Sequence, residues 1–220
     1  MKKNAICFLA CLCLLLSILS ACGEKPSGKG FYTLASEDNQ NSVMPYTCTY
    51  QNSFDKKTRT LTFTQIDEEG NEMGFGLATY DKEGNRLTYK LQDGNKNTYL
   101  SQEFTYDKAG NCTEIYTRML GSPDCMEYRT YENGVRIGGM LCYYDEEGGI
   151  ESTQLYRIEE TEKGSAIVYY DTDGSVISAS YYRQTFDDNG NLLNKTTYQD
   201  GDYRTQSDRV DYTYKWIALD

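Results

Sequence analysis

The stretch Tyr80-Asp81-Lys82-Glu83-Gly84-Asn85-Arg86-Leu87 decides how this chain folds. An Asp at its second position accepts hydrogen bonds from backbone amides two or three residues ahead. The middle pair takes the helical turn conformation, and Gly supplies the positive φ that lets the chain bulge back into a strand. It is a hairpin connection, and it recurs from Ile66 (IDEEGNE), Tyr106 (YDKAGNC), Tyr144 (YDEEGGI), Tyr170 (YDTDGSVI) and Phe186 (FDDNGNLL). Shorter turn signals stand at Asp93-Gly94, Asn133-Gly134, Lys163-Gly164 and Asp200-Gly201. Ten such turns delimit about eleven strands of the usual five to eight residues. The flanks have period two: Leu87, Tyr89 and Leu91 alternate with Arg86, Thr88 and Lys90, and Val210, Tyr212, Tyr214 and Trp216 with Asp211, Thr213 and Lys215. The expectation is an all-β antiparallel meander of about eleven short strands, an extended, curled sheet in the form of an open barrel or a single-layer strip.

The first residues have a different character. Lys2 and Lys3 precede an apolar run from Ala5 to Leu19, too short for a stable membrane span and laid out as a secretory signal segment. It ends Leu19-Ser20-Ala21-Cys22, which resembles the lipobox of bacterial lipoproteins. That resemblance implies cleavage before Cys22 and lipid on the Cys22 sulfur, with the chain held on the extracytoplasmic face of a cell membrane. It divides the sequence into a signal peptide (1–21), a flexible tether (22–45) and a repeat domain (46–220). Cleavage takes the basic residues from 22 to 20 and leaves all 33 acidic ones, a balance that argues against nucleic acid as a partner.

The repeated phrase resembles the YD repeat of the RHS family, whose units read approximately Tyr-Asp-x-x-Gly-Asn/Arg-Leu and wind into long β-strips. The resemblance implies a curled antiparallel sheet in an extracytoplasmic setting, and fold likeness carries no function with it. Four cysteines remain beyond Cys22: Cys48, Cys112, Cys125 and Cys142. Three full disulfide connectivities are open to them. A two-residue turn at Asn133-Gly134 would set Cys125 opposite Cys142, a candidate cross-strand disulfide, and a bulge at Gly138-Gly139 would shift that register by one.

The chain contains 21 Tyr, 1 Trp and no His. Without imidazole there is no Ser-His-Asp or Cys-His catalytic site and no His-ligated metal. No cofactor or metal is expected, because the cysteines lack paired spacing and the acidic turns 171–174 and 187–190 lack the distal Glu of a calcium loop. Leu, Ile, Val and Phe are scarce, so Tyr must supply much of the core. Exposed rings at Tyr198, Tyr203, Tyr212, Tyr214 and Trp216 are the candidate contacts for a glycan or protein. The functional expectation is a non-enzymatic, lipid-anchored binding or scaffold module. The alternatives are a glycoside hydrolase using paired carboxylates, or a neutralising partner of a secreted repeat protein.

Overall fold

The computed structural model describes residues 29–41 and 45–219; the signal segment and Cys22 lie outside them. The chain forms β1 (Gly30–Asn39), β2 (Tyr46–Asp55), β3 (Thr60–Asp67), β4 (Glu72–Tyr80), β5 (Arg86–Gln92), β6 (Thr98–Tyr106), β7 (Cys112–Met119), β8 (Ser122–Glu132), β9 (Val135–Tyr144), β10 (Ile150–Thr161), β11 (Gly164–Tyr170), β12 (Val176–Phe186), β13 (Leu192–Tyr198) and β14 (Gln206–Ala218). Each strand pairs antiparallel with the next, and β1 pairs with β14 to close the barrel. The meander is as expected, but it is a closed barrel of 14 strands, not an open sheet of about eleven.

All ten turns read from the sequence connect adjacent strands. The additional connections lack the glycine phrase for a physical reason. In the Asp55 turn the carboxylate still accepts from Lys57 N at 2.9 Å, but Arg59, at φ +52°, takes the left-handed position that glycine fills elsewhere. Leu120 does the same at φ +52° ahead of Gly121. The stretch assigned to the tether also needs correction: Gly30–Asn39 is β1 and seals the barrel. Its inward positions include Glu37 and Asn39, both buried, so its alternation is hidden from a reading that looks for apolar residues.

The repeated turns share one geometry. Asp107 Oδ1 accepts from Ala109 N and Asn111 N, each at 2.9 Å, and its Oδ2 accepts from Asn111 Nδ2 at 2.8 Å. The same set occurs at Asp67, Asp81, Asp93 and Asp187. After four of the turns with the repeated phrase, one apolar residue of the outgoing strand is left without a cross-strand partner: Met73 in β4, Leu87 in β5, Ile177 in β12 and Leu193 in β13. Each bulge turns an apolar side chain outward, and these four are among the exposed large hydrophobic residues. A strict period of two therefore misplaces Leu87, while Tyr89 and Leu91 do pack inward.

Side chains fill the interior. One cluster gathers Phe31, Leu61, Phe63, Ala78, Tyr80, Leu91 and Leu100; another gathers Cys125, Leu141, Tyr156, Ile167 and Tyr182. Phe31 stacks on Tyr80 with ring centroids 3.7 Å apart, a contact worth ~1 kcal/mol beyond the area it buries. Where a glycine stands directly opposite an aromatic residue, the ring lies over it: Phe63 over Gly76, and Tyr156 over Gly139. A Cβ at Gly139 would come within 2.6 Å of the Tyr156 hydroxyl, so the absent side chain makes room for that ring.

Candidate functional site

The interior also holds charge, in two arrangements. In β8 the alternation that buries Cys125 also turns Glu127 and Arg129 inward, and the bulge at Ile137 in β9 sets Arg136 on the same face. Arg129 Nη2 donates to Glu127 Oε2 at 2.9 Å, and Arg136 Nη1 to Oε1 at 3.3 Å. The Tyr156 hydroxyl donates to Oε1 at 2.7 Å. All four side chains are buried or nearly so. Burial and the Glu127 charge push the Tyr156 pKa well above that of a free phenol. Burial opposes the charge on Arg129, but Glu127 more than compensates and holds its pKa above the ordinary value. Lys195, from β13, is nearby: burial, then the Arg136 charge, lower its pKa to about 8.

The second arrangement surrounds Arg86. The bulge at Leu87 turns Arg86 inward beside Tyr80, its cross-strand partner. The guanidinium carbon lies 5.2 Å from the Tyr89 ring centroid and 5.7 Å from that of Phe104. Its Nε is buried without a hydrogen-bond partner, and among the described residues no carboxylate lies within ion-pair distance. Burial opposes this charge, and the oxygens of Tyr80, Tyr89 and Tyr106 outweigh it, so the Arg86 pKa stands above the ordinary value. Beside it is a cavity of about 80 Å³. Gln102 of β6 and Tyr214 of β14 both line this cavity, so walls far apart in the sheet meet across it. On its far side Tyr50 donates to the buried Glu37 at 3.1 Å, and Tyr46 donates to the other oxygen of the same carboxylate. Burial raises the Glu37 pKa against these two hydrogen bonds.

The rings singled out in the sequence do not form one surface. Tyr212 and Tyr214 belong with the inward cluster of Leu192 and Val210, and Trp216 meets Tyr32 edge to face at 4.9 Å. Tyr203 is buried, donates to Ser165 O at 2.8 Å and contacts Tyr198 at 5.2 Å, with Arg183 over both rings. Tyr198 pairs in register with Gln206, not with Tyr203.

The cysteine pairing is also corrected. Near the Asn133-Gly134 turn the register is the one expected, with Tyr131 opposite Arg136. Past the Ile137 bulge it slips by one, so Cys125 faces Tyr143 and Cys142 faces Met126. The two cysteines then project from opposite faces of the sheet, and all four described cysteines are buried. Cys22 lies outside the described residues. The acidic turns spend their carboxylates on their own amides, and among the described residues no three His, Cys, Asp or Glu side chains group to hold a metal.

The outer wall varies from segment to segment. Positions that alternate with the core residues of β2, β3 and β6 carry Thr49, Gln51, Ser53, Thr62, Thr64, Glu103 and Thr105. On the other side, Tyr128, Met140, Leu155, Tyr170 and Val176 stand opposite one another in turn across β8 to β12, forming one row. Tyr128, Leu155 and Val176 are exposed. Arg157 lies 5.8 Å from the Tyr170 ring, and the Tyr170 hydroxyl donates to Glu159 at 3.2 Å, giving the row a polar rim. Periodicity missed this row because the bulges place its members at irregular offsets from the turns.

No helix among the described residues is long and apolar enough to cross a membrane, which says nothing about strands. No family model and no curated protein sequence matches the chain. Among solved structures, a porin-like protein from Bacteroides uniformis is similar with a TM-score of 0.41 and 14% identity, over 83% of this chain and 98% of that one. The two differ too much for the function of one to bear on the other.

Proposed function

We propose that the protein is a non-enzymatic barrel, tethered by lipid on Cys22 to the extracytoplasmic face of a membrane, that presents the outer face of β8 to β12 to a glycan or protein partner. The observation that carries this reading is the exposed row from Tyr128 to Val176, which runs unbroken across five strands, whereas the outer positions of β2, β3 and β6 carry Thr, Ser, Gln and Glu. Contiguous exposed apolar groups with a polar rim mark contact surfaces. The Thr-rich outer positions of β2, β3 and β6 support a barrel outside the hydrocarbon, since a spanning barrel turns an apolar band outward. The leash is shorter than a tether over 22–45 would give. Cys22 stands eight residues before Gly30, a reach of at most about 28 Å when fully extended. The end of the barrel where β1 starts, beside the 81–85 turn whose Gly84 lies against Gly30, would therefore face the membrane.

The hydrolase alternative has less support. The buried carboxylates Glu37 and Glu127 sit on β1 and β8, and each is already engaged by hydroxyls or guanidinium groups. The test compares two variants of the full mature chain on a glycan array and in capture from solubilised cell envelope. Leu155→Asp is expected to reduce binding at least tenfold, while Thr62→Asp on the opposite wall leaves it unchanged. Equal loss from both, or turnover of any glycoside by the unmodified protein, would overturn the reading. Alkyne-palmitate labelling that disappears in Cys22→Ser tests the anchor.

A further inference from the structure

A buried guanidinium without a counter-charge, beside an unfilled space, calls for an explanation. Taking a cation out of water costs several kcal/mol unless an anion or a full set of hydrogen bonds replaces the hydration. At Arg129 and Arg136 that anion is Glu127. Arg136 leaves its Nε unbonded, yet its Nη1 is in that ion pair. At Arg86 no carboxylate among the described residues fills the role. Its neighbours are hydroxyls and ring faces, and its Nε is unbonded.

The adjoining cavity has two kinds of wall. Leu61, Phe63 and Ala78 form an apolar side, and Arg86 and Gln102 a polar one. Gln102 uses one amide hydrogen on Thr117 Oγ1 at 3.3 Å and keeps a second. Tyr50, which lines the cavity, donates to Glu37, whose other carboxylate oxygen accepts from Tyr46. A cavity of about 80 Å³ admits on the order of five waters, or a ligand of similar bulk.

We infer that this chamber binds a short aliphatic monocarboxylate, its carboxylate on Arg86 and its alkyl chain against Leu61, Phe63 and Ala78. A planar carboxylate matches the guanidinium fork, which a spherical anion does not. The apolar wall gives the alkyl chain a place out of water. Chain length is limited by the volume: butyrate fits and octanoate does not. The site is independent of the outer row, since Leu155 and Tyr170 lie on another wall of the barrel.

Titration calorimetry of the full mature chain with sodium butyrate tests the assignment, with acetate, octanoate and sulfate as comparators. Butyrate is expected to bind at least tenfold more tightly than acetate, octanoate or sulfate. Arg86→Met is expected to abolish the butyrate signal, and Ala78→Ile, which fills the chamber and leaves Arg86 in place, to weaken it at least tenfold. Sulfate or octanoate binding as tightly as butyrate would overturn the inference, as would no binding of butyrate or butyrate binding retained in folded Arg86→Met. The chain-length series on the unmodified protein decides the matter even where a variant does not fold.

Discussion

Two arginine sites inside one barrel handle buried charge in opposite ways. Around Glu127, two guanidinium groups and a tyrosine hydroxyl converge on one carboxylate. Around Arg86 the hydroxyls and rings are present, the carboxylate is missing, and a space remains. The same local device made both. A bulge two residues past a turn rotates an arginine inward, Arg136 by way of Ile137 and Arg86 by way of Leu87. The difference is what the facing strands supply. The first site can be understood as structure alone; the second is incomplete without an anion that the described residues do not supply.

The largest expected effect is at Glu127. Replacing it by Gln strands two guanidinium groups and should cost ~3–5 kcal/mol in urea unfolding. A loss no greater than that of a surface substitution would erase the distinction between the sites. Tyr156→Phe removes one hydrogen bond to the same carboxylate and should cost ~1.5–3 kcal/mol by the same measurement.

Lys195 sharpens the picture by pH. Its folded pKa of about 8 lies below the 10.5 of an ordinary lysine, so between those values the unfolded chain binds the extra proton. The destabilisation is complete below about pH 8 and is relieved as pH rises toward 10.5, so the melting temperature should climb over that window relative to Lys195→Met. A parallel course for the two proteins would show Lys195 to be hydrated. The smallest effect belongs to Arg86→Met, which should leave stability within ~1 kcal/mol of the unmodified protein or raise it, because an unpaired cation is replaced by an apolar chain of similar length.

The sequence made the hairpins legible because their chemistry is local. Asp, Gly and Asn at fixed offsets each do a job within five residues, as the bonds of Asp107 show. What it hid depends on register or on distant partners. Arg59 occupies a left-handed position without a glycine to mark it, and Leu120-Gly121 lacks the Asp that precedes the glycine in the repeated phrase, so two turns went unread. β1 turns Glu37 and Asn39 inward, where Tyr46 and Tyr50 of β2 donate to the Glu37 carboxylate, so it passed for a spacer. One unpaired residue, Ile137, moved Cys125 away from Cys142. The Arg86 site was beyond reach for the same reason: the phrase YDKEGNRL marks the turn, but the direction of its arginine is set by the bulge that follows.

The most direct test of the contrast is an arginine Nε–Hε correlation spectrum of the ¹⁵N-labelled protein, with each signal assigned by substitution, recorded with and without butyrate. The Arg86 signal should shift on addition, while those of Arg129 and Arg136 stay in place. An Arg86 signal that does not move while the protein remains folded, or equal movement of all three, would contradict the division between a completed site and an open one.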